Sequence, residues 1–302
     1  MNFGVFIQDI DGTSNTPGKK EEIYPPLIEL DARFILEGST LILSTNRSRT
    51  WVEEKLVFPI IKKLSKIGDK LNNKIILMPE QGSAIQVLSK VANTIEWDTI
   101  YSLKVPESDS LKKFLIEKVI PEFPGSSIRK TEFAVSLIGL NSPEEALKKM
   151  GAHNIPASNI QIVPTRSTLT FIHENAGKKQ TLLECINLLP EVFEDAPIFG
   201  VGDDGDDFSD LIPTFNVGEP DAFTKNGFSS LKIGGFKILG EGEFTDDFPL
   251  LRDSKGDLIK TKLFGGSPIQ ILENPIRNRL QAGPATVRIL ETLMKEGVFS
   301  KK

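Results

Sequence analysis

The segment Phe6-Ile7-Gln8-Asp9-Ile10-Asp11-Gly12-Thr13, an apolar run ending in two carboxylates one residue apart, is the part of this chain best suited to chemistry. If the run is a parallel strand, both acids stand at the carboxyl edge of the sheet, where open α/β sheets bind ligands. There the two can divide the work. Asp9 can attack phosphorus and bind a cation, while Asp11 protonates the leaving oxygen and later deprotonates water. Gly12 lets the chain turn tightly after the acids. The same letters would suit a calcium loop, but an apolar strand precedes them and no glutamate closes such a loop.

Three further groups could join this pair. Asp203, Asp204, Asp206 and Asp207 follow the run Phe199-Gly200-Val201-Gly202. Four carboxylates in five residues repel one another, and a magnesium ion would relieve that repulsion. Thr45 follows Leu41-Ile42-Leu43-Ser44, where a hydroxyl can hydrogen-bond a phosphoryl oxygen, and Asn46 and Arg47 come directly after it. Lys178 and Lys179 precede a helical pattern, and either ammonium could offset charge on the carboxylate and the phosphoryl group. His173, Arg129, Lys130 and Arg166 are additional candidates for touching substrate.

These residues need a scaffold that brings strand ends together. The runs Phe3–Ile7, Thr40–Leu43 and Pro197–Val201 are uninterrupted apolar segments, as expected for parallel strands covered by helices on both faces. Helices are expected over Ile28–Leu36, ended by Gly38, over Trp51–Ile67, interrupted at Pro59, and over Thr181–Leu189. From about residue 89 to 175 the texture changes. Phe133–Ile138 reads as a strand, Ser142-Pro143-Glu144-Glu145 opens a capped helix, and Ile160–Val163 with Thr168–His173 reads as a hairpin. The expectation is a doubly wound, Rossmann-like α/β core over 1–88 and 176–302, carrying an inserted α+β unit over 89–175. From about 225 the chain is rich in glycine and charge until an apolar-faced helix over Ala285–Met294.

The 302 residues carry 36 basic and 41 acidic side chains, interleaved, for a net charge of -5. No basic stripe marks a nucleic-acid surface, and no apolar stretch approaches the ~18 residues that span a bilayer. A small-molecule partner in the cytoplasm is expected. The single Cys185 excludes an internal disulfide.

In order and texture the four elements resemble the motifs of the haloacid dehalogenase-like phosphatases over about residues 1–220. The resemblance implies that Asp9 is nucleophile and magnesium ligand, and that Asp11 is general acid/base and ligand through its main-chain carbonyl. It implies Thr45 as the motif-two hydroxyl, Lys179 in preference to Lys178 as the motif-three lysine, Asp203 as a magnesium ligand and Asp207 as the acid that supports the metal shell or the lysine. The insert is similar to the α+β lid of sugar-phosphate phosphatases. Gly202-Asp203-Asp204-Gly205-Asp206-Asp207 is similar to a segment of trehalose- and sucrose-phosphate phosphatases, while Ser136-Leu137-Ile138 and Phe171-Ile172-His173 depart from their cap pattern. The expected activity is magnesium-dependent hydrolysis of a phosphorylated sugar or polyol. Phosphoryl transfer to a sugar hydroxyl, or binding without catalysis, would use the same groups; a dehalogenase would need neither Asp11 nor the Asp203 cluster.

Overall fold

Alternation decides which helices the strands recruit. In strand β1 (Val5–Asp9) Phe6 joins one apolar layer while Val5 and Ile7 join the other. The computed structural model describes residues 4–64, 71, 74–91, 95–151, 155–164, 167–194, 196–203, 212, 214–216, 271–273, 282–295, 297 and 299. After β1 comes a small hairpin, β2 (Asn15–Thr16) and β3 (Lys19–Ile23), which the sequence reading did not anticipate. Helix α1 (Pro25–Leu36) follows with proline at its start, and Gly38 takes φ +93° just past its end.

Strand β4 (Thr40–Ser44) leads to α2 (Arg49–Val52) and α3 (Phe58–Lys63), joined by a π turn over Glu53–Val57. The helix was expected to kink or end at Pro59. Instead it runs on, because the wider π turn removes the ordinary bond that the proline nitrogen could not make. Strand β5 (Ile75–Met78) and the hairpin β6 (Ala84–Val91) and β7 (Ile95–Ser102) complete one side of the sheet. On the other side stand β12 (Ile198–Gly202), β13 (Thr214–Asn216) and β14 (Ile271–Glu273). The order is β14-β13-β12-β1-β4-β5-β6-β7, parallel from β14 to β5 and antiparallel beyond.

A second sheet, in the order β10-β11-β9-β8, is built from β8 (Ser127–Lys130), β9 (Val135–Ile138), β10 (Ile160–Pro164) and β11 (Thr168–His173). One face packs on α4 (Ser108–Phe114) and α5 (Pro143–Met150) through Leu111, Val135, Leu137, Met150, Leu169 and Phe171. Ser142 caps α5 as expected, its Oγ accepting the Glu145 amide at 3.2 Å. The expected start of this unit at residue 89 needs correction. Leu77 pairs with Gln86 and Val87 with Asp98, so the β6–β7 hairpin belongs to the main sheet and the insert begins after Ser102.

Helices α6 (Lys178–Leu188) and α7 (Pro190–Phe193) cover one face of the main sheet through Leu182, Cys185, Val192 and Phe193. Helix α8 (Ala282–Lys295), four residues longer than expected, covers the other beside α1, burying Ala285, Ile289, Leu290 and Leu293. The candidates Arg166, Asp204, Asp206 and Asp207, and the glycine-rich tail from about 225 to 270, lie outside the described residues.

The link from β5 to β6 is a tight turn. Glu80, Gln81 and Gly82 all have positive φ, +51°, +63° and +73°. A Cβ on Gly82 would lie 2.8 Å from the carbonyl carbon of Gly177 and 2.9 Å from the nitrogen of Lys178. Gly82→Ala should therefore cost about 3 kcal/mol, from left-handed strain and backbone collision together. Chemical denaturation of the variant checks this, and unchanged stability would refute so close an approach.

Candidate active site

Three chain segments end side by side. In the parallel pairing Asp9 stands opposite Ser44, one residue before Thr45, while β12 flanks β1 on its other side and releases Asp203 just after Gly202. Helices on both faces force the strand interiors to be apolar, so the polar groups collect at this edge. Asp9 and Lys178 are nearly buried, at 5% and 9% side-chain exposure, and Lys178 Nζ lies 2.9 Å from Asp9 Oδ1. At that depth the pair is poorly screened, so the ammonium is a strong local counter-charge.

The sequence reading preferred Lys179, whereas the lysine seen against Asp9 is Lys178. Thr181, Leu182 and Cys185 form the buried face of α6, and Lys178 lies three, four and seven residues ahead of them on that same face. Lys179 is turned to the exposed side. The Gly82 turn sets the start of the helix, since the Thr181 hydroxyl donates to the Gly82 carbonyl.

Asp203 meets the turn after Asp9 at Gly12. A Cβ there would fall 1.9 Å from Asp203 Oδ2, and Gly12 has φ +77°. Only glycine leaves room for that carboxylate beside the Asp9–Asp11 turn. The Gly12 amide donates to Asn15 Oδ1 at 3.0 Å, and the Ser14 hydroxyl donates to the Asp9 carbonyl at 2.6 Å. Thr45 is buried, and its Oγ1 accepts the Arg47 amide at 3.0 Å, which leaves the hydroxyl hydrogen to donate elsewhere.

Arg47 grips Asp11 with two nitrogens, Nη2 at 2.7 Å from Oδ1 and Nε at 2.9 Å from Oδ2. Its Nη1 reaches Glu21 Oε1 at 2.7 Å, and the guanidinium sits 4.6 Å from the centre of the Trp51 ring. Trp51 Nε1 donates to the second oxygen of Glu21 at 2.8 Å. The Arg47 bond, followed by the Trp51 bond, lowers the Glu21 pKa. Sequence reasoning missed Glu21 and Trp51 because exposed hairpins and helix starts carry no periodic signal. Asn46 is exposed beside this cluster.

Other expected residues are not brought to the pair by any contact described here. Arg129 is exposed on β8, in one cross-strand row with Ser136 and Thr170, on the face opposite the cap helices. Lys130 is engaged by Asp109 of α4 at 2.6 Å. His173 Nδ1 accepts the Asn175 amide at 3.1 Å, serving the turn that returns the chain to α6. Glu80 is a buried carboxylate that accepts the Thr131 hydroxyl and, at 3.0 Å, the Phe133 amide. Burial raises its pKa against the pull of those two bonds. It ties the main sheet to the β8–β9 turn of the insert.

No family profile matches the chain, and no curated protein matches it. Among solved structures, a haloacid dehalogenase-like hydrolase from Bacteroides thetaiotaomicron superposes with a TM-score of 0.51 at 13% identity, covering 73% of this chain and 91% of that one. The chain has the haloacid dehalogenase-like fold. A HAD subclass IIB sugar phosphatase matches at a TM-score of 0.47 and 13% identity over 76% of this chain and 98% of that one. The ATP-bound IMP-nucleotidase of Plasmodium falciparum matches at 0.47 and 16% over 67% of this chain; the match spans about half of the nucleotidase, 52%. The four-stranded sheet lies between β7 and α6 in the chain, inserted into the eight-stranded one.

Among the described residues no three His, Cys, Asp or Glu side chains form a metal-binding group. The oxygen donors at hand, the carboxylates of Asp9 and Asp203 with the Asp11 main-chain carbonyl, are chemically suited to a hard divalent cation. The pressing of the Asp203 carboxylate onto Gly12, beside Asp9, fits that donor set.

Proposed function

We propose that this protein is a magnesium-dependent phosphomonoester hydrolase acting on a small phosphorylated sugar or polyol through an aspartyl-phosphate on Asp9. One observation carries the reading: the buried Lys178 ammonium 2.9 Å from the Asp9 carboxylate, at the carboxyl edge of a parallel sheet. A phosphoryl group brings negative charge to a carboxylate nucleophile, and that approach needs fixed positive charge at the site.

Asp9 attacks phosphorus and the bond to the leaving oxygen breaks, with Asp11 supplying the proton. Arg47 holds both Asp11 oxygens, so Asp11 can turn to the leaving oxygen only when Arg47 exchanges it for the incoming phosphate. Asp11 then takes a proton from water, which attacks the phosphoryl group and frees Asp9. Thr45 donates to a phosphoryl oxygen, and Lys178 offsets charge throughout. Asp9, Asp203 and the Asp11 carbonyl would hold the cation, with Asp207 as a further ligand; when bound it supplies charge neutralisation and orientation.

The substrate class rests on the cap. Its sheet face away from α4 and α5 carries Arg129, Ser136 and Thr170 in one row, with Ser136 and Thr170 hydroxyls 3.3 Å apart. Such a row suits a polyhydroxy compound. Phosphate release from p-nitrophenyl phosphate should depend on magnesium, disappear with EDTA and return when magnesium is restored. Release unaffected by EDTA would overturn the cation-dependent mechanism. A panel of phosphorylated sugars, polyols and glycerates then tests the class, and a nucleotide preferred over all of them would overturn it.

A further inference from the structure

The apolar stripe of α1 contains one misfit. Leu27, Leu30, Asp31, Phe34 and Ile35 are all buried and follow the i, i+3, i+4, i+7, i+8 pattern, so a carboxylate occupies a core position at 0% exposure. Its neighbour on β1 is Gln8, the residue before Asp9 and equally buried. Gln8 Nε2 donates to Ser14 Oγ at 2.9 Å, and the Ser14 hydroxyl donates to the Asp9 carbonyl at 2.6 Å. Gln8 Oε1 and both Asp31 oxygens lack a partner within hydrogen-bonding geometry.

We propose that Asp31 is a positioning residue that fixes the main chain of Asp9 through Gln8 and Ser14, a role that rests on Asp9 being the nucleophile. Two buried Asp31 oxygens face the Gln8 amide, whose own Oε1 is a third acceptor without a partner and whose two N–H groups include one committed to Ser14. An ionised Asp31 would leave Gln8 Oε1 against a carboxylate and an uncompensated charge buried in the core. A neutral Asp31 closes the set. Its O–H donates to Gln8 Oε1, and the second Gln8 N–H donates to the Asp31 carbonyl oxygen. Burial drives the Asp31 pKa well above the ordinary carboxyl value, against a smaller pull from Gln8. The acid-amide pair then locks the Gln8 rotamer, and Ser14 passes that constraint to the Asp9 carbonyl.

The test compares Asp31→Asn, whose side-chain amide can both donate and accept as the neutral acid does, with Asp31→Leu, which can do neither. Asp31→Asn should keep kcat within about threefold of wild type, whereas Asp31→Leu should lose about tenfold or more in kcat with KM little changed, the signature of a displaced reacting group. Ser14→Ala, which leaves the core intact, should reproduce the kcat loss. Amide exchange over residues 9–15 should quicken in Asp31→Leu and Ser14→Ala but not in Asp31→Asn. The infrared difference between wild type and Asp31→Asn should contain the C=O stretch of a protonated carboxylic acid. An Asn variant as impaired as the Leu variant, or the absence of that stretch at neutral pH, overturns the proposal. If the wild-type protein released no phosphate, the proposed function would fall, while the infrared band and the exchange data would still decide the state of Asp31.

Discussion

Asp9→Asn should abolish phosphate release, lowering kcat by at least about 10⁴-fold, because the amide that replaces the proposed nucleophile cannot form an acyl-phosphate. The substitution keeps size and shape, so the folded state should persist, and the loss should appear in kcat and not in stability. Trapped phosphoenzyme provides a second readout. Wild-type protein quenched in acid during turnover should carry labelled phosphate, and Asp9→Asn should carry none. Asp11→Asn should instead slow both steps strongly and can let that label accumulate. Hydrolysis by Asp9→Asn at the wild-type rate would remove the aspartyl-phosphate from consideration.

The second large effect separates two adjacent lysines. Lys178→Ala should reduce kcat by about 10²–10³-fold, a loss of roughly 3–4 kcal/mol of transition-state stabilisation, since the ammonium 2.9 Å from Asp9 is buried and weakly screened. Lys179→Ala should stay within about twofold of wild type. Phosphate-release kinetics on the two variants decide the matter, and equal losses would mean that the geometry of the α6 start does not govern the chemistry. The Lys178 loss should also resist added salt, because a buried pair is screened far less than a surface one.

The two lysines also show what a sequence can express. That a lysine before Thr181 could stand beside Asp9 was readable; which one was not, because a match to motif spacing ignores the helical register set by Leu182 and Cys185. The strands bearing Asp9, Thr45 and Asp203 were legible because parallel strands buried on both faces are continuous apolar runs. The β6–β7 hairpin was assigned to the wrong unit for a related reason. Its alternation resembles that of the cap strands, and only the pairing of Leu77 with Gln86 decides which sheet it joins. Asp31 was visible as a charged letter in an apolar stripe, yet nothing local indicates that Gln8 faces it across the layer. Arg47 was named as a mouth residue, but its partners Asp11 and Glu21 are 36 and 26 positions away, and a hairpin with exposed lysines and glutamates gives no pattern from which to infer that closure.

Helix α8 closes over the first strand of the chain. Thr286 Oγ1 donates to the Thr13 carbonyl at 2.7 Å across 273 positions of sequence, and the Phe299 ring stands 4.9 Å from that of Phe34. During synthesis at about 5–20 residues per second, β1 and α1 therefore leave the ribosome on the order of tens of seconds before the segment that shields them. For that interval Phe6 and Phe34 lack part of their final cover, so the nascent chain should engage chaperones early, and the Asp9–Asn15 loop should gain its last support only once α8 and Phe299 have emerged.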